Sequence, residues 1–288
     1  MPSRGRSGQL ELKFYGVRGS TPCSCPETRR YGGNTSCVLV DVPGQEPIIL
    51  DLGTGLRYLG DDLVRQGIDR ATALVSHLHW DHVQGLPFFP LLLRPGGQLT
   101  MVGPGQGPDG LSEAVAAFCR PPVFPVELAA LPGTVEFVEM EKGTFSVGAA
   151  TVTVTPCPHV GPTSAYRIDV GSASVAYISD HQQSPDGSLE VDSGVVELCR
   201  DVDILIHDAQ YSVAEFPLKS TWGHCTVDFA VEVAARAGAR RLVLYHHDPA
   251  HTDTVLDEFL ARGQRLAAGR FEVLAASEGL VLRSGDCV

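Results

Sequence analysis

The chain has 288 residues, 43% of them hydrophobic and 19% charged, with a formal net charge of -12. That length and apolar content are enough to bury a core without staples, and the negative charge disfavours a polyanionic partner, which would need a local basic patch that no stretch provides. No apolar run approaches the roughly 20 residues of a membrane span, and the N-terminal MPSRGRSGQLELKF has no run of signal-peptide length, so a soluble, cytoplasmic protein without a membrane partner is expected.

In chain order, ELKFYGV (11–17), SCVLVDV (36–42) and PIILDLG (47–53) read as strands from their β-branched and aromatic content. GLRYLGDDLVRQG (55–67) places Leu56, Leu59 and Leu63 at helical spacing and ends at a glycine. ATALVSH (71–77) and QLTMVGP (98–104) are further strands. After a Gly/Pro-rich turn at 103–110, LSEAVAAFCR (111–120) predicts a helix stopped by Pro121 and Pro122. The second half predicts strands in TVTVTPC (151–157), SAYRIDV (164–170), ASVAYISD (173–180), DILIHDAQY (203–211) and RRLVLYHHD (240–248). Its helices are CTVDFAVEVAARAG (225–238) and TDTVLDEFLARGQRLA (252–267). No repeat or low-complexity linker divides the halves, so one α/β domain over 1–288 is expected. The stretch 85–133, rich in Pro, Phe and Leu, reads as a lid or dimer-forming insertion or, in LPFFPLLL, as plain core.

Polar residues recur at the carboxyl ends of these runs: Asp51, His77, His159, Asp180, Asp208 and His246. Loops at the carboxyl ends of strands converge on a crevice in open α/β sheets, so these six meet if two sheets pack face to face. The eight cysteines lack the paired CxxC spacing of a zinc knuckle and read as reduced thiols. Cys23-Ser24-Cys25 is a plain loop by this reading, and Cys157 and Cys225 are small packing residues.

One motif is far more specific. SHLHWDHVQG (76–85) concentrates His77, His79, Asp81 and His82 in six positions. Neutral imidazoles and carboxylates suit zinc, and a catalytic zinc keeps a position open for water. The HxHxDH signature resembles that of the metallo-β-lactamase superfamily, which implies a four-layer αββα sandwich. By this resemblance His77, His79 and His159 hold one divalent ion, and Asp81, His82, Asp180 and His246 the second, with Asp180 bridging. Two zinc ions are implied, with manganese or iron as alternatives, sharing a hydroxide that serves as nucleophile. Asp51 would organise the metal loop. Alternation along RRLVLYHH puts His246 on the face of Leu242 and Leu244, and His247 on that of Val243 and Tyr245; the resemblance favours His246 as the last ligand.

A narrower resemblance is to the ribonuclease Z-like phosphodiesterases, carried by DILIHDAQY (203–211) and GHCTVDFA (223–230). It implies that Asp208 orients His224, which protonates the departing oxygen. Aspartate replaces the glutamate of that pattern, so a closer backbone must compensate for the shorter arm. Relatives that process transfer RNA carry a long arm between the third histidine and the bridging aspartate, whereas here His159 and Asp180 are 21 positions apart (180 minus 159). A small phosphodiester substrate, such as a cyclic nucleotide, is therefore expected rather than tRNA, and the resemblance allows a homodimer. The same ligands also suit a thioesterase, a lactonase, a di-iron oxidoreductase or a non-catalytic metal sensor. Arg18, Asn34, Tyr166 and Arg167 are candidate pocket or substrate contacts. His181 and His207 are expected to pack, and His251, in a polar turn, to be solvated.

Overall fold

The computed structural model describes residues 10–284; MPSRGRSGQ at the N-terminus and Cys287 lie outside the described residues. The first half runs β1 (Glu11–Gly16), β2 (Cys37–Asp41), β3 (Ile48–Leu50), α1 (Leu56–Arg65), β4 (Arg70–Leu74), α2 (Trp80–Val83), β5 (Gln98–Gly103), α3 (Gly110–Phe118) and β6 (Thr134–Glu139). The second runs β7 (Gly143–Val147), β8 (Ala150–Pro156), β9 (Ser164–Val170), β10 (Ala173–Ile178), α4 (Ser193–Leu198), β11 (Ile204–Asp208), α5 (Phe216–Lys219), α6 (Val227–Ala237), β12 (Arg241–Tyr245), α7 (Asp253–Ala267), β13 (Glu272–Ala275) and β14 (Val281–Arg283).

These strands form two seven-stranded sheets, ordered β14-β1-β2-β3-β4-β5-β6 and β13-β12-β11-β10-β9-β8-β7. Each sheet begins as an antiparallel meander, β1-β2-β3 or β7-β8-β9-β10, and continues as parallel strands joined by helical crossovers. The halves thus share a plan that no sequence repeat betrays.

Alternation builds the layers, because successive strand residues face opposite sides. Val38, Val40, Ile48 and Leu50 face inward to meet Val152, Ile168, Val175, Ile206 and Val243 between the sheets. Their neighbours Leu39 and Ile49 face outward, with Leu56, Leu59 and Leu63 of α1 and Leu111 and Val115 of α3. On the far side, Ala176, Ile178, Leu242 and Leu244 pack against Val195, Phe229, Val233 and Phe259 of α4, α6 and α7. The result is helix, sheet, sheet, helix: the expected αββα sandwich.

LPFFPLLL is largely core, with Leu86, Phe89, Leu91 and Leu92 fully buried and Phe88 and Leu93 exposed. The surrounding stretch supplies β5 and α3 to the first sheet and its cover. The strands read over 47–53 and 240–248 end early, at Leu50 and Tyr245, because Asp51 and His246 both turn into the left-handed region with φ of 57°.

Candidate metal centre

The carboxyl ends of β3, β4, β8, β10, β11 and β12 lie along one rim of the sandwich, where two donor groups assemble. His77, His79, His159 and Asp180 form one; Asp81, His82 and His246 form the other. Asp180 reaches both, and with His224 and His246 it makes a third, overlapping group. Its Oδ2 lies 3.8 Å from His77 Nε2 and 3.6 Å from His159 Nε2, while its Oδ1 lies 3.2 Å from His82 Nε2 and 3.4 Å from His246 Nε2. Asp81 Oδ2 is 3.0 Å from His246 Nε2 and 3.2 Å from His82 Nε2.

The hydrogen bonds around this cluster fix its tautomers. His82 Nδ1 donates to Asp51 Oδ2 at 2.7 Å, and His159 Nδ1 donates to the Gly223 carbonyl at 2.6 Å. Ser76 Oγ donates to Asp51 at 2.9 Å and accepts from His77 Nδ1 at 3.0 Å. In its neutral form each of these rings is left with a bare Nε2 lone pair aimed inward, and facing lone pairs and carboxylates repel unless a proton or a metal cation lies among them. His82 Nε2 and His246 Nε2 are 3.1 Å apart, and His159 Nε2 and His79 Nδ1 are also 3.1 Å apart. Buried His77 Nε2 and Asp180 Oδ1 have no hydrogen-bond partner. These residues fit divalent metal ions.

Charge gives the same answer. Burial drives the His77 imidazole well below its usual range, which keeps it in the neutral form that binds metal. Burial opposes protonation of His82 too, but the carboxylates of Asp81, Asp180 and Asp51 outweigh it and hold that ring well above its usual range. A centre walled by four buried carboxylates, Asp51, Asp81, Asp180 and Asp208, draws in positive charge.

Backbone strain is concentrated here. Three of the five non-glycine residues with positive φ among the described residues are Ser20, Asp51 and His246, each such conformation costing about 1–3 kcal/mol. The turn at Asp51 lets its carboxylate accept from Ser76 N, Ser76 Oγ, His82 Nδ1 and Tyr177 Oη. The turn at Ser20 lets its backbone N–H donate to Asp81 Oδ2 at 2.7 Å. Gly19 beside it must be glycine, since a Cβ there would meet His246 Cε1 at 2.3 Å.

His224 lies at the edge of the cluster, just ahead of the Thr226 cap of α6. Its Nδ1 is 3.1 Å from Asp208 Oδ2, and its ring stacks on His246 with centroids 5.0 Å apart. Asp208 is itself held by the backbone N–H groups of His181 and Gln210. Burial lowers the His224 pKa, but the charge and hydrogen bond of Asp208 outweigh it, so the ring is held above its usual range.

Other sequence candidates lie elsewhere. Tyr166 is fully buried and donates to the Val75 carbonyl at 2.7 Å, so it braces the strand leading to the metal loop and has no surface for a substrate. Arg167 is engaged with Asp169 and the carbonyls of Leu198 and Arg200. Arg18 is buried against the carbonyls of Gly32, Asp248 and His251, and the Asn34 amide is tied to Glu278. His247 bonds the Ala276 carbonyl, away from the donors. His251 is not solvated: it is buried, bonded to Glu215 at 2.7 Å and packed edge-on against Phe259. His181 and His207 bond each other and pack on Phe229. Cys157 and Cys225 are buried thiols that donate to the carbonyls of Asp180 and Asp208.

Sequence reasoning missed Ser20, Ser76, Tyr177 and the Gly223 carbonyl. Tyr177 had a signal, because a tyrosine in the inward register of an apolar strand needs a partner for its hydroxyl. The others act through backbone or local turns that no pattern announces.

Fold and centre together define a metal-dependent hydrolase of the αββα class. The description "Beta-lactamase superfamily domain" matches residues 53–247, and the chain belongs to that superfamily, the metallo-β-lactamase fold, and within it to the ribonuclease Z-like branch. A ribonuclease Z of Mycobacterium sp. (strain KMS) is 30% identical over 245 residues, covering 78% of this chain and 80% of that protein. Another, from Synechococcus sp. (strain WH7803), is 26% identical and covers 89% and 92%. Among solved structures, the metallo-β-lactamase fold protein YhfI from Bacillus subtilis superposes with a TM-score of 0.71 at 19% identity, covering 96% of this chain and all of that one. A diphosphatase from the PhnP family gives 0.67 at 18% identity, covering 95% and 97%. No helix among the described residues is long and apolar enough to cross a membrane.

Proposed function

We propose that this chain is a dinuclear-metal phosphodiesterase acting on a small or cyclic phosphodiester of the cyclic-nucleotide kind. His77, His79 and His159 hold one ion, Asp81, His82 and His246 the other, and Asp180 both; zinc suits this donor set, with manganese or iron as substitutes. When bound, two divalent ions supply an activated water and neutralise charge on the phosphoryl oxygens.

The observation that carries the phosphodiester reading is the 3.1 Å contact between His224 and Asp208. Asp208 engages Nδ1, which leaves Nε2 as the donor to a departing alkoxide. General acid catalysis of this kind contributes about 10²- to 10⁴-fold. A small substrate is favoured because β9 and β10 with the short turn between them (Ser164–Ile178) fill most of the chain between His159 and Asp180, leaving no arm to grip RNA, and because the net charge is -12.

The test uses protein purified without chelator. Elemental analysis should find about two ions per chain, with metal-dependent cleavage of bis(p-nitrophenyl) phosphate and cyclic AMP. Iron without diester cleavage would support an oxidoreductase, and efficient cleavage of precursor tRNA would overturn the small-substrate assignment. His224→Ala should slow cyclic AMP hydrolysis roughly 10²- to 10⁴-fold and slow nitrophenyl ester hydrolysis much less, since nitrophenolate departs without a proton. The rate should fall as pH rises through the His224 pKa; Asp208→Asn, by removing the charge that raises it, should move that limb to lower pH. Equal losses on both substrates, or loss of metal from His224→Ala, would refute the general-acid role.

A further inference from the structure

The two donor groups differ in exposure, and the chain's aromatic side chains are distributed accordingly. His79 is exposed, whereas His77, Asp180, Asp81, His82 and His246 are buried and the imidazole of His159 is covered although its residue is half-buried, so the centre opens to solvent at His79. The chain has only two tryptophans, and both are chain neighbours of residues at that opening, His79 itself and the Gly223 that holds His159, whose Nε2 is 3.1 Å from His79 Nδ1. Trp80 follows His79 directly and is 51% exposed; Trp222 precedes Gly223, whose carbonyl holds His159, and is 61% exposed. Gly223 sits so close that a Cβ on it would meet His159 Cε1 at 2.2 Å, which ties the Trp222 backbone to the ligand. Val160, next to His159, is 54% exposed.

Indoles are normally well covered, since each buries a large apolar area. Here both are left open beside a centre otherwise made of imidazoles and carboxylates. Trp80 is oriented by an edge contact with Phe118, with centroids 5.6 Å apart, and the Lys219 ammonium lies 5.9 Å from the Trp222 ring. Binding energy from the non-reacting part of a substrate is what such a rim can supply, and an indole recognises a planar π-face with little regard for its edge pattern.

We propose that Trp80 and Trp222 bracket the mouth of the metal centre and bind a planar aromatic group of the substrate, a nucleobase or an aryl ester, by stacking. This rests on the phosphodiesterase reading for its reaction, but its binding test does not. Because there are only two tryptophans, Trp80→Phe and Trp222→Phe each leave one reporter. In the metal-loaded protein, adenosine 5′-monophosphate should quench the emission of both variants, while ribose 5-phosphate, with the same phosphate and no base, should not. In turnover, bis(p-nitrophenyl) phosphate and methyl p-nitrophenyl phosphate share a leaving group and differ only in the retained one. Trp80→Ala and Trp222→Ala should each raise KM for the aryl diester about fivefold to a hundredfold, the range that aromatic stacking contributes, and leave the methyl diester nearly unchanged with metal content intact. Diester cleavage without quenching or aryl preference overturns the inference and leaves the phosphodiesterase reading standing. Quenching by adenosine monophosphate without diester cleavage does the reverse. An emission maximum that shifts with protein concentration and not with ligand would assign the indoles to a contact between copies of the chain, and also overturns it.

Discussion

The two donor groups draw on the same two kinds of side chain, imidazole and carboxylate, and differ in enclosure. The Asp81, His82 and His246 group is walled by the Ser20 amide on Asp81, by Asp51 behind His82 and by Gly19 against His246. The His77, His79 and His159 group keeps His79 at the surface, and its outer support is the bond from His159 to the Gly223 carbonyl and that from His77 to Ser76 Oγ. On the proposed assignment the enclosed group would hold its ion as part of the structure, and the open group would present its ion to solvent and substrate. Strain is spent on the enclosed side, where Ser20, Asp51 and His246 adopt positive φ.

The largest effect should come from Asp81→Ala. This removes the only carboxylate that belongs to the enclosed group alone, while His77, His79, His159 and Asp180 remain. Turnover should fall at least about a thousandfold, because groups that act as a unit fail together. Elemental analysis should find the enclosed ion missing and the open one retained, with an unchanged circular dichroism spectrum. Retention of both ions would break the contrast between the groups.

Asp51→Asn should act more gently. Asparagine tolerates the left-handed conformation that position 51 requires, but its amide cannot accept four hydrogen bonds, and its NH₂ would oppose the donors from His82 and Tyr177. Outer partners of metal ligands contribute about 10- to 100-fold in affinity or activity. A chelator titration should show that loss in the enclosed ion, and an equal loss in both would mean that Asp51 organises the whole loop.

Much of this was legible in the sequence because strong local patterns carry it. HxHxDH marks one loop, alternation in SCVLVDV and PIILDLG sorts residues between inner and outer layers, and the spacing of Leu56, Leu59 and Leu63 marks α1. The four strands not read, β6, β7, β13 and β14, are short or lie at or near sheet edges, where polar residues blur alternation. β14 is three residues long and pairs with β1 across nearly the whole chain, a contact that local pattern cannot encode. His251 was misjudged for a related reason: its partners Glu215 and Phe259 are distant in one direction or on the next helix, so a polar neighbourhood in sequence concealed a buried place in the fold.

Tyr166 gives the smallest expected effect and separates support of the loop from contact with substrate. Its hydroxyl donates to the Val75 carbonyl, and Val75 leads into Ser76 and His77. Tyr166→Phe removes one buried hydrogen bond and should cost about 1 kcal/mol of stability, read as a lower denaturant midpoint with an unchanged slope. Because the ring stays in the apolar layer between the sheets and the Val75 carbonyl has no contact with the donors themselves, KM and metal content should not move. A raised KM would mean that the strand end carries substrate geometry into the open group, and that the two groups are coupled through the core between the sheets as well as through Asp180.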